Sequence, residues 1–234
     1  MSRQEEPRVA IVTGGAGGLG LAIARRLAKR GHRVAIWDIE RARADEAAAG
    51  LPGARGYAVD VTNLAAIEAA MTQVVEEMGP LGILVTAAGH NGPLAEFAHY
   101  PREGWRFVMA LNLDAVFDCC QVGVREMLKT GYGRIVNIAS AHGLVASPFK
   151  SAYVSAKHGV IGLMRTLALE LARDMIRVNA ICPTTVDTDM VQNDAIYRLF
   201  RPDLENPGKQ DFADAAVQMN ALPIPWVEAV DISN

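Results

Sequence analysis

Short apolar, β-branched runs alternate with longer amphipathic stretches along most of this 234-residue chain. Strands are expected over Arg8–Thr13, Arg33–Trp37, Gly56–Val59, Ile83–Thr86, Arg134–Ala139 and Ile176–Ile181. Helices are expected over Leu19–Arg30, Glu40–Ala49, Asn63–Met78 (with Asn63 as cap), Glu103–Lys129 and Ser151–Arg173. Shorter helical pieces are expected near Thr188–Phe200 and Lys209–Asn220. The strands are apolar without strict alternation, so both of their faces must be covered. Such strands, separated by helices, imply an α/β fold with one parallel sheet, helices on both sides and right-handed crossovers. No repeat, low-complexity tract or linker divides the chain, so residues 1–234 read as one domain. The proline-bearing stretch Pro202–Pro225 is irregular and is expected to form a mobile substrate lid, spanning 188–225 with its flanks.

Composition removes several classes of function. A chain that is 50% hydrophobic and 21% charged is globular rather than disordered. Its 23 basic and 26 acidic residues leave a net charge of −3 with no basic block, which argues against a nucleic-acid partner. The apolar runs fall short of the ~18 residues a membrane span needs, so no membrane is expected. The N-terminal segment Met1–Pro7 is polar and acidic, unlike a secretory leader. Three cysteines, of which Cys119 and Cys120 are adjacent, disfavour a disulfide framework and fit a reducing cytoplasm. The five histidines lack metal-ligand spacing, so no metal site is expected. Cys119, Cys120, Trp105 and Phe107 read as packing or interface residues.

Between the first strand and first helix stands Thr13-Gly-Gly-Ala-Gly-Gly-Leu-Gly20. Glycines there let the backbone pass close to a pyrophosphate, and the helix N-terminus then offers N–H groups and partial positive charge to it. Gly14, Gly18, Leu19 and Gly20 are therefore candidate dinucleotide contacts. Asp38 ends the second strand, 18 residues after Gly20. A carboxylate there can accept from the adenosine ribose hydroxyls and would repel a 2′-phosphate, which favours NAD over NADP. Arg41 and Arg43 stand close by, and a helix-capping role for Asp38 is the alternative.

Tyr153 and Lys157 are four residues apart on a predicted helix, and so share one face. A phenol is a poor base at neutral pH, but a neighbouring ammonium stabilises the phenolate. Tyr153 can thus exchange a proton with an alcohol or carbonyl oxygen, and Ser140, 13 residues earlier, can hold the same oxygen.

With these residues in order, the sequence resembles the short-chain dehydrogenases/reductases. The match covers residues 8–190: the glycine loop, Asp38, Asp60-Val61, Ala88-Gly89, Asn112, Ser140, Tyr153, Lys157, Pro183 and Thr188. The resemblance implies a single-domain, three-layer Rossmann fold with a doubly wound parallel sheet in strand order 3-2-1-4-5-6-7. It implies an NAD-dependent enzyme interconverting a secondary alcohol and a ketone. Asp60 and Val61 would lie at the adenine, and Ala88, Gly89 and Pro183 along the cofactor. Val186 and Thr188 would lie at the nicotinamide carboxamide, Lys157 at the nicotinamide ribose, and Asn112 would support a water-linked proton relay. A homo-oligomer, dimer or tetramer, is also implied.

Three departures accompany the match. Ala87 stands where the family carries an asparagine that braces the sheet, and Thr184 follows Pro183 where a glycine is usual. The chain ends at Asn234, where relatives continue into a seventh strand, so the expectation is a truncated or shortened member lacking the usual C-terminal strand. Around Ser140–Tyr153 the sequence is similar to 3-hydroxybutyrate dehydrogenases, which implies that His142 and Lys150 hold a substrate carboxylate, with Asn91 and Asp194 at the positions of two glutamines. After Cys182 it is similar to enzymes oxidising terpenoid alcohols such as carveol, including mycofactocin-associated members. There Phe200, Phe212, Leu222 and Trp226 would line an apolar pocket or simply pack the lid. The competing readings are a 3-oxoacyl-type ketoreductase and a dinucleotide-binding protein without turnover.

Overall fold

In the computed structural model, which describes residues 6–234, six strands form one parallel sheet. They are β1 (Val9–Thr13), β2 (Arg33–Asp38), β3 (Arg55–Ala58), β4 (Leu81–Thr86), β5 (Gly133–Ile138) and β6 (Ile176–Ile181), in the order β3-β2-β1-β4-β5-β6. The order reverses at β1, whose neighbours are β2 and β4. That switch opens a crevice at the carboxyl ends of the strands, where ligands bind in sheets of this kind. Of the N-terminal segment read as polar and acidic, residues 1–5 lie outside the described residues.

The strands pack on both faces. Val9 and Ile11 of β1 enter one core with α3 (Leu64–Met78), α5 (Ala115–Thr130) and α6 (Ser151–Glu170). Ala10 and Val12 enter the other with α1 (Gly18–Lys29) and α2 (Arg41–Ala49). This is the double burial that the continuous apolar runs require. Asn63 caps α3, its Oδ1 accepting from the Ala66 N–H at 3.3 Å.

The expected long helix runs from Arg102 to Thr130 with a break in its pattern. α4 (Arg102–Met109) passes into a five-residue π turn at Ala110–Asp114, and α5 follows. This stretch has a mean hydropathy of 1.5 over its best window, enough by length and composition to cross a membrane. Its apolar side is used internally: Val116, Cys119, Cys120 and Met127 lie in the sheet core. Beyond β6 come α7 (Asp194–Phe200), capped by Asn193, α8 (Lys209–Met219) and the short α9 (Ala229–Ser233). Phe212 is the centre of a separate cluster there, with Tyr197, Phe200 and Trp226 around it. Of the four residues considered for an apolar pocket, Phe200, Phe212 and Trp226 pack with one another, whereas Leu222 is exposed.

Candidate active site

The ends of β1, β4 and β5 and the start of α6 meet at the crevice. The glycine loop crosses from β1 to α1 there. Gly14 has φ +61°, and a Cβ on it would lie 2.9 Å from the Ala88 Cα, so loop and β4 end meet backbone to backbone. The Thr13 hydroxyl fixes this approach, accepting from the N–H groups of Ala87 and Ala88 at 3.0 and 3.1 Å. Thr86 donates to Asn137 Oδ1 at 2.8 Å, joining β4 to β5. These hydroxyls tie the strand ends together where Ala87 brings no amide side chain. α1 begins at Gly18 with no side chain capping it, which leaves its first-turn N–H groups facing the crevice mouth without a side-chain acceptor.

Asp38 stands beside this loop as expected. Its carboxylate accepts from the N–H groups of Ala16 and Glu40, both at 3.3 Å. Arg43 also reaches the loop: a Cβ on Gly17 would lie 2.9 Å from its guanidinium. Asp60 is exposed and accepts from the Thr62 N–H and hydroxyl at 2.9 and 2.6 Å, forming a turn above the buried Val61. Across the crevice, Pro183 accepts from the Ala141 N–H at 2.8 Å, Val186 is buried, and the Thr188 methyl would be 3.6 Å from a Cβ on Gly18.

Tyr153 and Lys157 lie one turn apart on α6, both buried. The Lys157 Nζ is 5.6 Å from the centre of the Tyr153 ring and donates to the Ile138 carbonyl at 2.8 Å. Ser140 follows β5, lies beside the phenol, and accepts from the His142 N–H at 3.1 Å. Asn112 is fully buried inside the π turn. Its Nδ2 donates to the carbonyls of His90 and Val108, each at 3.0 Å, and its Oδ1 accepts from the His90 N–H at 3.2 Å. A Cβ on Gly89 would sit 2.8 Å from that Oδ1 and 3.7 Å from the Lys157 Nζ. The four residues expected at the reacting centre are therefore gathered around one point.

Their charges are balanced differently from the sequence expectation. Burial pushes the Tyr153 phenol above its ordinary value, and the neighbouring Ser140 hydroxyl pulls it back. Burial also draws Lys157 from 10.5 down to about 8, with Cys182 acting weakly in the other direction. Loss of water around the phenolate is the largest influence on Tyr153.

His142 and Lys150, which the local resemblance puts at a substrate carboxylate, are near enough for the Lys150 charge to act on the imidazole. Lys150 is only 8% exposed and makes no ion pair among the described residues. Burial lowers both groups, and the Lys150 charge lowers His142 further. The His142 ring meets the Tyr153 ring edge-on at 6.1 Å. Asn91 is occupied, donating to the Met190 carbonyl at 3.0 Å, and Asp194 is exposed at the start of α7. Cys119 and Cys120 pack in the core, where burial raises both thiols, Cys120 to about 12.

Known proteins resemble this chain in sequence and fold. The short chain dehydrogenase family profile matches residues 8–196. The chain belongs to this family. A (-)-trans-carveol dehydrogenase of Rhodococcus erythropolis is 39% identical over 98% of this chain and 89% of its own length. A D-beta-hydroxybutyrate dehydrogenase of Rhizobium meliloti is 42% identical over 79% of this chain and 74% of its own. The crystal structure of carveol dehydrogenase from Mycobacterium avium in complex with NAD superimposes with a TM-score of 0.93 at 40% identity. It is matched over 97% of this chain and 88% of that one. As a short-chain dehydrogenase, the protein is an oxidoreductase interconverting a secondary alcohol and a ketone.

Sequence reading missed two features of the site. One is the bonding of the Thr13 hydroxyl to Ala87 and Ala88, since in the sequence Thr13 reads only as a strand end and the first residue of the glycine motif. The other is Asp187, whose partners lie 5 and 22 residues away and carry no common motif.

Proposed function

We propose that this short-chain dehydrogenase uses NAD(H) and that Tyr153 is its acid/base. The observation that carries the proposal is the buried Tyr153 phenol beside Ser140, with the Lys157 ammonium 5.6 Å from its ring. The chain's residues fit a nicotinamide dinucleotide. The Gly14 backbone lies against Ala88, α1 is uncapped, and the Asp38 carboxylate stands where a ribose diol would be received. Gly18, Leu19 and Gly20 would hold the pyrophosphate and Val61 the adenine. Ala88, Gly89 and Pro183 would flank the ring, with Val186 and Thr188 at its carboxamide. Bound NAD would supply the hydride acceptor, or as NADH the donor, and a positively charged ring in its oxidised form.

The chain's own groups handle the proton. In the oxidising direction the Tyr153 oxygen takes the alcohol proton, and in the reducing direction its O–H returns one to the carbonyl oxygen. The Ser140 hydroxyl donates to that same substrate oxygen. Lys157 offsets the negative charge on Tyr153, and Asn112 holds the His90 loop beside Lys157, supporting a path to solvent. Phe107, Phe117 and Leu128 expose apolar surface along one helical stretch, which supports assembly as a homo-oligomer, dimer or tetramer. The buried free thiols support a cytoplasmic setting.

The similarity along nearly the whole chain to carveol dehydrogenases supports a cyclic secondary alcohol as substrate. A second reading, a hydroxy acid, is favoured by Lys150: a buried cation without an ion-pair partner among the described residues, whose charge reaches His142, is suited to a substrate carboxylate. Absorbance at 340 nm with carveol, 3-hydroxybutyrate and 2-butanol, each with NAD, tests the proposal. Oxidation of at least one is expected, and the preferred member separates the two substrate readings. Binding of NADH without turnover of any panel member or of 3-oxoacyl compounds would leave a dinucleotide-binding protein instead.

A further inference from the structure

Asp187 lies between Val186 and Thr188, and its carboxylate is bonded by Gln192, just before α7, and by Lys209 of α8. Its Oδ1 accepts from the Gln192 Nε2 at 2.6 Å, and the Lys209 Nζ lies 3.2 Å from its Oδ2. Gln192 is in turn held from α7, its Oε1 accepting from the buried Tyr197 hydroxyl at 2.9 Å. Lys209 is the first residue of α8, and its ammonium lies 5.0 Å from the centre of the Trp226 ring, which stacks on Phe212 at 5.6 Å. The backbone adds a further tie at the same place. Asp187 donates its N–H to the Val227 carbonyl at 3.0 Å, and Val227 donates to the Thr185 carbonyl at 3.1 Å. One carboxylate therefore connects α7, α8 and the Trp226 strap to the three-residue segment that faces Gly18.

We propose that Asp187 is a positioning residue, which clamps α7 and α8 onto the segment Val186–Thr188 and so shapes the alcohol site without taking part in the chemistry. Its carboxylate is partly exposed, with 26% of the side chain accessible, so the Lys209 pair taken alone contributes little to overall stability. Its effect lies in geometry: two lid helices, joined in sequence only by the irregular stretch 201–208, are referenced to one oxygen pair. The Gln192 bond is charge-assisted and short, which makes the reference stiff. The placement of the alcohol site in this inference rests on the proposed function, whereas the clamp itself does not.

The test uses the full chain with Asp187→Asn and Lys209→Gln, singly and together. Deuterium uptake of 194–219 reports the clamp without any need for turnover. In Asp187→Asn, α7 and α8 amides are expected to exchange about 10-fold faster while α6 is unchanged. NADH affinity, read by nicotinamide fluorescence, should stay within about 2-fold. For the panel alcohol turned over fastest, KM is expected to rise about 10-fold with kcat within about 3-fold, and the double variant should resemble the single ones. Unchanged exchange in 194–219, or exchange that rises equally in α6, would overturn the inference. So would additive effects of the two substitutions on KM. If no panel alcohol is turned over, the proposed function fails on that result, and the exchange data still decide the clamp.

Discussion

The Lys157 ammonium and the Tyr153 phenol sit on consecutive turns of α6, 5.6 Å apart from nitrogen to ring centre, and both are buried. Each is pushed toward its neutral form by burial. A bound nicotinamide, positively charged when oxidised, would place a charge beside this pair, which suits the two side chains to a redox step coupled to a proton.

Lys157 leaves a signature in stability. Its folded value of about 8 lies below its ordinary 10.5, so between these pH values the unfolded chain binds more protons than the folded one. Stability contributed by this group therefore rises with pH across that window; below about 8 the charge-burial cost is present in full. Urea unfolding from pH 7 to 10.5 should show this rise in the unmodified protein and a smaller one in Lys157→Met. Identical slopes would mean that Lys157 is not buried as a cation.

Asp38 should select the dinucleotide. The unmodified protein is expected to bind NADH more tightly than NADPH, and Asp38→Asn should narrow the difference about 10-fold, roughly the effect of one removed charge repulsion. The Arg43 guanidinium near Gly17 is already placed to receive the 2′-phosphate once the carboxylate is gone. Fluorescence titration of both reduced dinucleotides measures the ratio, and an unchanged ratio removes Asp38 as the selector.

Gly14 should tolerate no side chain. An alanine there would have to hold φ near +61° and place its methyl 2.9 Å from the Ala88 Cα. The left-handed conformation alone costs about 1–2 kcal/mol, and the contact adds to it. Gly14→Ala should lower the urea midpoint and weaken NADH binding together. A stable variant with full NADH affinity would show that the loop does not press on β4 as described.

Lys150 separates the substrate readings. If the substrate is a hydroxy acid, Lys150→Met should raise its KM at least about 10-fold, because a desolvated carboxylate loses its counter-charge. Oxidation of carveol should be unaffected or improved by the same substitution. Equal effects on the two alcohols would place Lys150 outside the substrate site.

Much of this molecule could be read from its sequence, and the failures have physical causes. The continuous apolar runs located all six strands, although β4 begins at Leu81 rather than Ile83 because Gly82 interrupts the run. The helix expected over Glu103–Lys129 is present, but its π turn around Asn112 leaves no mark on the hydrophobic period. Ser140, Tyr153 and Lys157 were legible because local spacing on one strand and one helix sets their meeting. The raised phenol was not, because desolvation depends on the packing of Val108, Ala152 and Ala156 around it. The Asp187 junction was hidden for the same reason, since Lys209 approaches it only after α7 and α8 fold back.

Tyr153→Phe tests the central claim most directly. Turnover of the best panel alcohol, followed at 340 nm, is set beside NADH affinity from fluorescence in the same preparation. Loss of the acid/base should lower kcat by at least about 10²–10⁴-fold while NADH affinity stays within about 3-fold. A variant that retains kcat within about 10-fold of the parent, with NADH bound, would contradict a proton route through Tyr153.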